Sequence, residues 1–217
     1  NTTDGTAVCN GGNVIKLTSG APANTTISTQ NLYDVYAPST TVKYISGANN
    51  SLFKYNSVTL GWDPIIILIP SADYNALSGY SSNVYFAGSK GLLYKYNGTS
   101  WANTLKNTVQ LNGMHLPNLN GMIVGDKGLS LATRNKGSLW TYNTPTKTDN
   151  FKRTWVKDTT AGVYIVGDNG FVKTTGLDAS IFGVIPGLPT TAGIVYTDIW
   201  FNDETIGLAS VGTSLYR

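Results

Sequence analysis

Short apolar runs alternating with polar residues fill the chain, and glycine, proline or asparagine breaks each of them within a few positions. Val163-Tyr164-Ile165-Val166 and Phe171-Val172-Lys173-Thr174-Thr175 are of this kind. Their β-branched and aromatic side chains suit a pleated surface. No stretch keeps a 3.6-residue apolar period, so almost no helix is expected. Pro64 and Pro70 enclose the five apolar residues Ile65 to Ile69, a run that suits a buried strand. No run approaches the roughly 18 apolar residues of a membrane-spanning helix, and no span is expected.

The pattern recurs. Val84 to Trp101, Met122 to Thr133 and Val163 to Thr175 align on a short apolar run, a glycine, two turn residues, a second glycine and an alternating run. Lys43 to Ser57 matches, with Asn50 near the second glycine, and Gly207 to Arg217 matches with a shortened turn. Thr6 to Gly20 is a weaker sixth copy. The first glycines of the better copies are Gly47, Gly88, Gly125, Gly167 and Gly212, spaced by 41, 37, 42 and 45 residues. A period near forty built from short strands indicates propeller blades rather than helical repeats. Asp126-Lys127-Gly128 and Asp168-Asn169-Gly170 supply residues that tolerate positive φ in tight hairpins.

Each repeat reads as four strands: a leading one such as Leu32 to Tyr36 or Thr197 to Phe201, the hairpin pair, and a fourth carrying Trp62, Trp101 or Trp155. The expected fold is all-β, a single β-propeller domain over residues 1–217 with about six short blades built from repeats of about 40 residues. The alternative is five full blades plus a partial one. The first copy begins at its hairpin and the last stops after its third strand. Three-stranded blades, a longer chain, or a strand donated by a neighbouring subunit each account for those ends.

The apolar-apolar-x-Gly-Asp-x-Gly pattern is followed by an alternating strand. In the best copy Tyr96-Asn97-Gly98-Thr99-Ser100-Trp101 comes next. The whole resembles the repeats of photosystem-assembly-factor-like propellers and the Asp-box (BNR-like) repeats of sialidase-type propellers. Asn97 stands where the Asp-box has its aspartate. The resemblance implies a β-propeller and no particular activity, because one fold hosts many functions.

Charged residues make up only 12% of the 217, and the net charge of +3 is too small to argue for a nucleic-acid partner. Asn, Ser, Thr and Gly dominate the polar positions, 13 Tyr accompany them, and Glu204 is the single glutamate. This balance leads us to expect an extracellular, cell-surface protein. The chain starts at Asn1 without Met or a signal-like stretch, as a processed chain or a fragment would. Cys9 is the only cysteine, so no internal disulfide forms. A small buried apolar role is expected for it, with a link to a neighbouring subunit as the alternative. Asn1, Asn24, Asn49 and Asn97 head glycosylation sequons, and Asn97 is favoured because it reads as part of an exposed turn.

Catalytic chemistry is sparse. His115, the only histidine, reads as a structural residue in a loop. A glycosidase needs two carboxyl groups facing one bond. Asp203 and Glu204 are adjacent on a turn, while Asp126 and Asp168 hold equivalent turn positions. Arg134, Arg153 and Arg217 are the only arginines available to clamp a substrate carboxylate. No catalytic residue, cofactor or metal is expected, since each Gly-Asp-x-Gly turn offers one carboxylate and no phosphate loop precedes a helix. Lys147, Lys152, Arg153 and Lys157 share a long connection, either a solvated loop or a contact for an anionic glycan or a neighbouring subunit. Trp62, Trp101 and Trp155 pack between blades or, where exposed, stack on sugars. Tyr33, Tyr36, Tyr74, Tyr80 and Tyr196 lie near blade connections and suit a subunit interface. The function expected is that of a non-enzymatic structural or adhesive subunit of a cell-surface filament, self-associating through inter-subunit strand complementation. A carbohydrate-binding, lectin-like propeller and a degenerate sialidase-like glycosidase are the alternatives.

Overall fold

Among the described residues, period-two alternation punctuated by turns produces 22 strands. The computed structural model describes residues 5–18, 20–80, 83–105, 107–143, 148–157, 162–170, 172–179, 183–185, 187–201 and 207–217. Asn1, Lys147, Asp203 and Glu204 lie outside them. The chain divides into two compact units, Asn1–Lys106 and Asn107–Arg217, and the antiparallel sheets fall three to each.

In the first unit, β1 (Gly5–Val8), β2 (Asn13–Leu17) and β3 (Ala23–Thr26) form the first sheet. The second contains β4 (Leu32–Tyr36), β5 (Tyr44–Gly47), β6 (Leu52–Asn56) and β7 (Gly61–Pro64). The third contains β8 (Tyr74–Tyr80), β9 (Asn83–Gly88), β10 (Leu93–Tyr96) and β11 (Trp101–Leu105). In the second unit, the fourth sheet is β12 (Leu111–His115), β13 (Gly121–Gly125), β14 (Ser130–Thr133) and β15 (Thr141–Tyr142). The fifth is β16 (Phe151–Val156), β17 (Gly162–Gly167), β18 (Val172–Gly176) and β19 (Gly183–Val184). The sixth is β20 (Tyr196–Phe201), β21 (Gly207–Val211) and β22 (Ser214–Tyr216). Among the described residues, four sheets thus have four strands, while the first and sixth have three. Helical geometry among the described residues is confined to the 3₁₀ turns Asn10–Gly12, Ser89–Gly91 and Asp126–Gly128.

A β-bulge explains the recurring first glycine. Each leading strand shifts register after its first residue, between Leu32 and Asp34, Tyr74 and Ala76, Leu111 and Gly113, Phe151 and Arg153, and Tyr196 and Asp198. The residue before the bulge is buried and pairs with Gly47, Gly88, Gly125, Gly167 or Val211. A Cβ on the four glycines would lie 2.1 to 2.3 Å from the carbonyl oxygen of Asn31, Asp73, Gln110 or Asn150. A bulge draws the two backbones together, so only glycine fits. The sixth repeat departs from the sequence alignment: Val211 occupies the paired position, and Gly212, at φ +54°, belongs to the following turn.

The hairpin turns place two successive residues at positive φ, as at Lys127 and Gly128 or Asn169 and Gly170. The residue just before the next leading strand then captures the turn. The Gly11 amide donates to Asn31 Oδ1, Asn49 to Asp73 Oδ1 and Lys127 to Asn150 Oδ1, each at 3.0 Å. Leading strands of neighbouring sheets are also tied directly. Leu77 N–H donates to Asp34 Oδ2 at 2.8 Å, joining β8 to β4. Apolar clusters fill the space between these sheets. Val14, Leu32, Ile45 and Phe53 lie between the first and second, and Tyr44, Leu52, Tyr74, Leu77 and Phe86 between the second and third. Met122, Phe151 and Ile165 join the fourth and fifth, and Val166, Tyr196 and Ile199 the fifth and sixth.

Candidate functional site: an apolar ridge and its grooves

Four strands complete the second sheet at Pro64, so Ile65 to Ile69 have no place left in its ladder. Contrary to the sequence expectation, they form no strand. The Ile65 amide makes one last rung to Leu52 O at 2.7 Å. Ile69 N–H then turns back to Ile67 O at 2.9 Å. Asn50 fixes the far end: its Nδ2 donates to Ile69 O at 3.2 Å, and its Oδ1 accepts the Ala72 amide at 2.8 Å. That side-chain duty accounts for asparagine at φ +63° where other repeats carry glycine.

Alternation survives in this segment without a ladder. Ile65, Ile67 and Ile69 pack on the cluster of Tyr44, Leu52, Tyr74 and Phe86. Ile66 and Leu68 point the other way and are 81% and 94% exposed. Among the described residues their backbone groups pair with nothing. Grooves flank this ridge. One, of about 540 Å³, is walled by Tyr44, Tyr96, Thr99, Ser100 and Trp101 with Lys54 at its edge. The other, of about 420 Å³, runs along Asn49 to Phe53.

The aromatic wall is held from behind. Trp101 lies 5.1 Å from Tyr96 in a stack, 5.2 Å from Phe86, and edge-on to Tyr44 at 6.3 Å. Burial, and then the neighbouring Tyr96, push the Tyr44 hydroxyl above its ordinary pKa. It stays neutral across physiological pH, and the wall carries no charge. The ridge and grooves therefore offer apolar contact, flat aromatic faces and free backbone groups.

Trp62 lies on β7, edge-on to Tyr55 at 5.3 Å. Both line a smaller pocket of about 190 Å³ with Thr6, Lys16, Thr25 and Lys43. Trp155 is not on a fourth strand; it lies on the leading strand β16, stacked on His115 at 5.6 Å and close to Phe201 at 5.0 Å. Its packing between sheets places it there. Lys152 and Arg153 are likewise on β16 rather than in a loop, because Phe151 and Val156 anchor that segment in the core. Lys152 Nζ is 3.4 Å from Asp168, and Arg153 Nε is 3.9 Å from Asp198. An Arg153 Nη1 hydrogen bond to Asn112 O leaves little of this pair for a ligand. Burial raises the Asp198 carboxyl pKa, while Arg153 and the Ile199 amide oppose the shift. Asp168 and Asp126 accept the Asn150 and Asn112 side-chain amides beside their turns.

Tyr74 and Tyr196 are fully buried and cannot form a subunit interface; they fill the position before the bulge. Cys9 is half-buried rather than buried, since its segment runs along the exposed hairpin of the first sheet. Among the sequons, Asn97 heads an exposed turn in which its Oδ1 accepts the Thr99 and Ser100 amides at 3.0 and 2.9 Å. Asn49 Nδ2 donates to Gln30 Oε1 at 2.6 Å and Asn24 Nδ2 to Asn13 Oδ1 at 3.2 Å.

Ile66 and Leu68 are the residues that sequence reasoning missed. The signal was present: prolines bracket the run, and the strand count assigns the fourth strand to Trp62 and the next leading strand to Tyr74.

No family model matches the chain, and no curated protein matches it in sequence. Solved structures do match. YCF48 from Cyanidioschyzon merolae aligns with a TM-score of 0.71 at 15% identity, covering 97% of this chain and 76% of that one. The WD40 repeats of RRP9 align with a TM-score of 0.73 at 11% identity, covering 97% and 70%. YCF48 bound to D1 peptide aligns with a TM-score of 0.50 at 10% identity, covering 98% and 79%. At these identities the likeness shows the fold: the chain is a β-propeller repeat protein of roughly six blades, similar in fold to YCF48 and to WD40 repeats.

Proposed function

We propose that the chain is a non-enzymatic interaction propeller of the cell surface, a structural or adhesive subunit that binds polypeptide along the Pro64–Pro70 ridge. The observation that carries this reading is the pairing of two exposed apolar side chains, Ile66 and Leu68, with unpaired backbone groups on the same residues. An extended segment recognises both features at once: its backbone bonds to the free groups and its alternate side chains enter the grooves. A structural neighbour supports a peptide ligand, since YCF48 has a form bound to D1 peptide. Between two subunits of a cell-surface assembly, such addition of an extended segment would serve as a pairwise form of strand complementation.

Fluorescence anisotropy with labelled peptides of alternating apolar and polar residues tests the reading at protein concentrations too dilute for self-association. Binding lost in Ile66→Asp and Leu68→Asp, and retained in Trp62→Ala, is the expected result. Failure of folded protein to bind any such peptide overturns it.

A second reading, carbohydrate binding, has one observation in its favour. Trp62 and Tyr55 wall the small pocket that Thr6 and Thr25 line with hydroxyls. Glycan-array binding that disappears in folded Trp62→Ala would select it.

A further inference from the structure

We propose that the ridge is covered by a second copy of this chain, packed about a two-fold axis through Ile67; the inference rests on the reading of this surface as a polypeptide-binding site. The surface is complementary to itself. An apolar ridge with a groove on either side can seat a partner's ridge while its own ridge enters the partner's groove. A two-fold contact requires this kind of surface, the same patch serving both sides. Exposed apolar groups of this size gathered in one place mark an interaction surface.

Charge gives the alignment. Asp63 and Ser71 lie four residues to either side of Ile67. An antiparallel two-fold contact about Ile67 turns the Asp63 end of one copy's segment toward the Ser71 end of the other's. The Lys90 ammonium is fixed at that end, donating to Ser71 O at 2.8 Å. Asp63 is exposed and accepts from Asn56 Nδ2 at 2.8 Å. Among the described residues neither Asp63 nor Lys90 forms an ion pair in its own chain. The antiparallel arrangement brings each Asp63 to the partner's Lys90, twice per dimer, whereas a parallel one would bring like charges together. Between the charged ends no ionisable residue interrupts the segment. An isologous contact closes on itself, so it yields a dimer, and a filament would join such dimers through a different surface.

Sedimentation velocity of the 217-residue chain from about 1 to about 100 μM tests the proposal, that range covering weak and moderate association. A concentration-dependent dimer is expected. Ile66→Asp and Leu68→Asp should each weaken it by about tenfold or more, because a charge enters an apolar contact. Compared at a dilution at which wild type is monomeric, their melting temperatures should match the wild-type value. Lys90→Glu alone should weaken the dimer, as should Asp63→Lys alone, and Asp63→Lys combined with Lys90→Glu should restore it. A wild-type monomer at every concentration overturns the proposal, as does a dimer indifferent to Ile66→Asp and Leu68→Asp. A monomer that still binds apolar peptide leaves the polypeptide-binding reading standing and removes only this one. A monomer that binds no peptide removes both.

Discussion

His115 Nδ1 accepts the Val156 amide at 2.9 Å, joining the leading strands of the fourth and fifth sheets. The acceptor must carry a lone pair, so the ring proton sits on Nε2. Val156 is fully buried, so solvent does not reach its amide to replace the nitrogen. His115 also stacks on Trp155, which makes two substitutions informative. His115→Phe keeps a ring for the stack but leaves the amide unpaired, and should cost about 1–3 kcal/mol. His115→Ala loses both and should cost more. Urea unfolding of the two variants checks the order, and a neutral His115→Phe would remove the histidine from the structural account.

Gly88 and Gly187 separate close approach from backbone conformation. A Cβ at Gly88 would lie 2.1 Å from Asp73 O, with Tyr74 Cα behind it at 3.2 Å. Both are backbone atoms at the bulge, so β8 and β9 would have to part. Gly88→Ala should destabilise by about 3 kcal/mol or more. Gly187, at φ +81°, has open space around its Cβ position. Gly187→Ala should cost only the left-handed conformation, about 1–2 kcal/mol. Thermal or urea denaturation measures both, and equal losses would contradict the bulge as the reason for the repeat glycine.

The repeat was legible because backbone geometry imposed it. Gly47, Gly88, Gly125 and Gly167 each face a carbonyl, and a positional constraint of that kind leaves a residue type behind in the sequence. Leu32 to Tyr36 as a leading strand, and the turns at Lys127 and Asn169, were legible for similar local reasons. The ties between sheets were not. Asn31, Asp73 and Asn150 capture the preceding turn through ordinary polar side chains, which look like loop residues when read singly. Aligned on the buried residue after each, they recur. Trp155 was misplaced because an aromatic residue near a repeat boundary fits a fourth strand or a leading one equally well. At the candidate site, Trp101 was picked out by its chemistry, whereas Ile66 and Leu68 were hidden inside a run whose apolarity argued for burial.

Tyr74 carries a buried hydroxyl that finds no partner among the described residues. Burial, then the neighbouring Tyr94, push its pKa up to about 12 from the ordinary 10.0. Because the folded value exceeds the unfolded one, stability is intact below about pH 10 and falls as pH rises toward 12. Tyr74→Phe removes an unpaired polar group and should be neutral or stabilising by about 1 kcal/mol near pH 7. It should also flatten part of the alkaline loss. Burial raises Tyr85 to about 12 as well, so some of that loss remains. Urea melts at neutral pH and near pH 11 give the comparison. A clear destabilisation at neutral pH would show that the hydroxyl has a bonding role.

Asp198 behaves in the opposite sense to an ordinary paired carboxylate. Crowding by surrounding protein raises its carboxyl pKa above 3.8, although Arg153 and the Ile199 amide pull it down. The side chain keeps 65% of its exposure, so solvent screens the effect and its size is modest. A raised folded pKa means that the folded chain holds the proton more tightly than the unfolded one. The site's contribution is therefore complete below 3.8 and is lost as pH rises through the folded value. Asp198→Asn keeps an oxygen for the Ile199 amide and carries no charge at any pH. Wild type and variant should melt together near pH 3, and the variant should gain progressively on wild type toward about pH 7. The reverse trend, with Asp198→Asn losing ground as pH rises, would mean that attraction to Arg153 at 3.9 Å outweighs the cost of crowding the carboxylate.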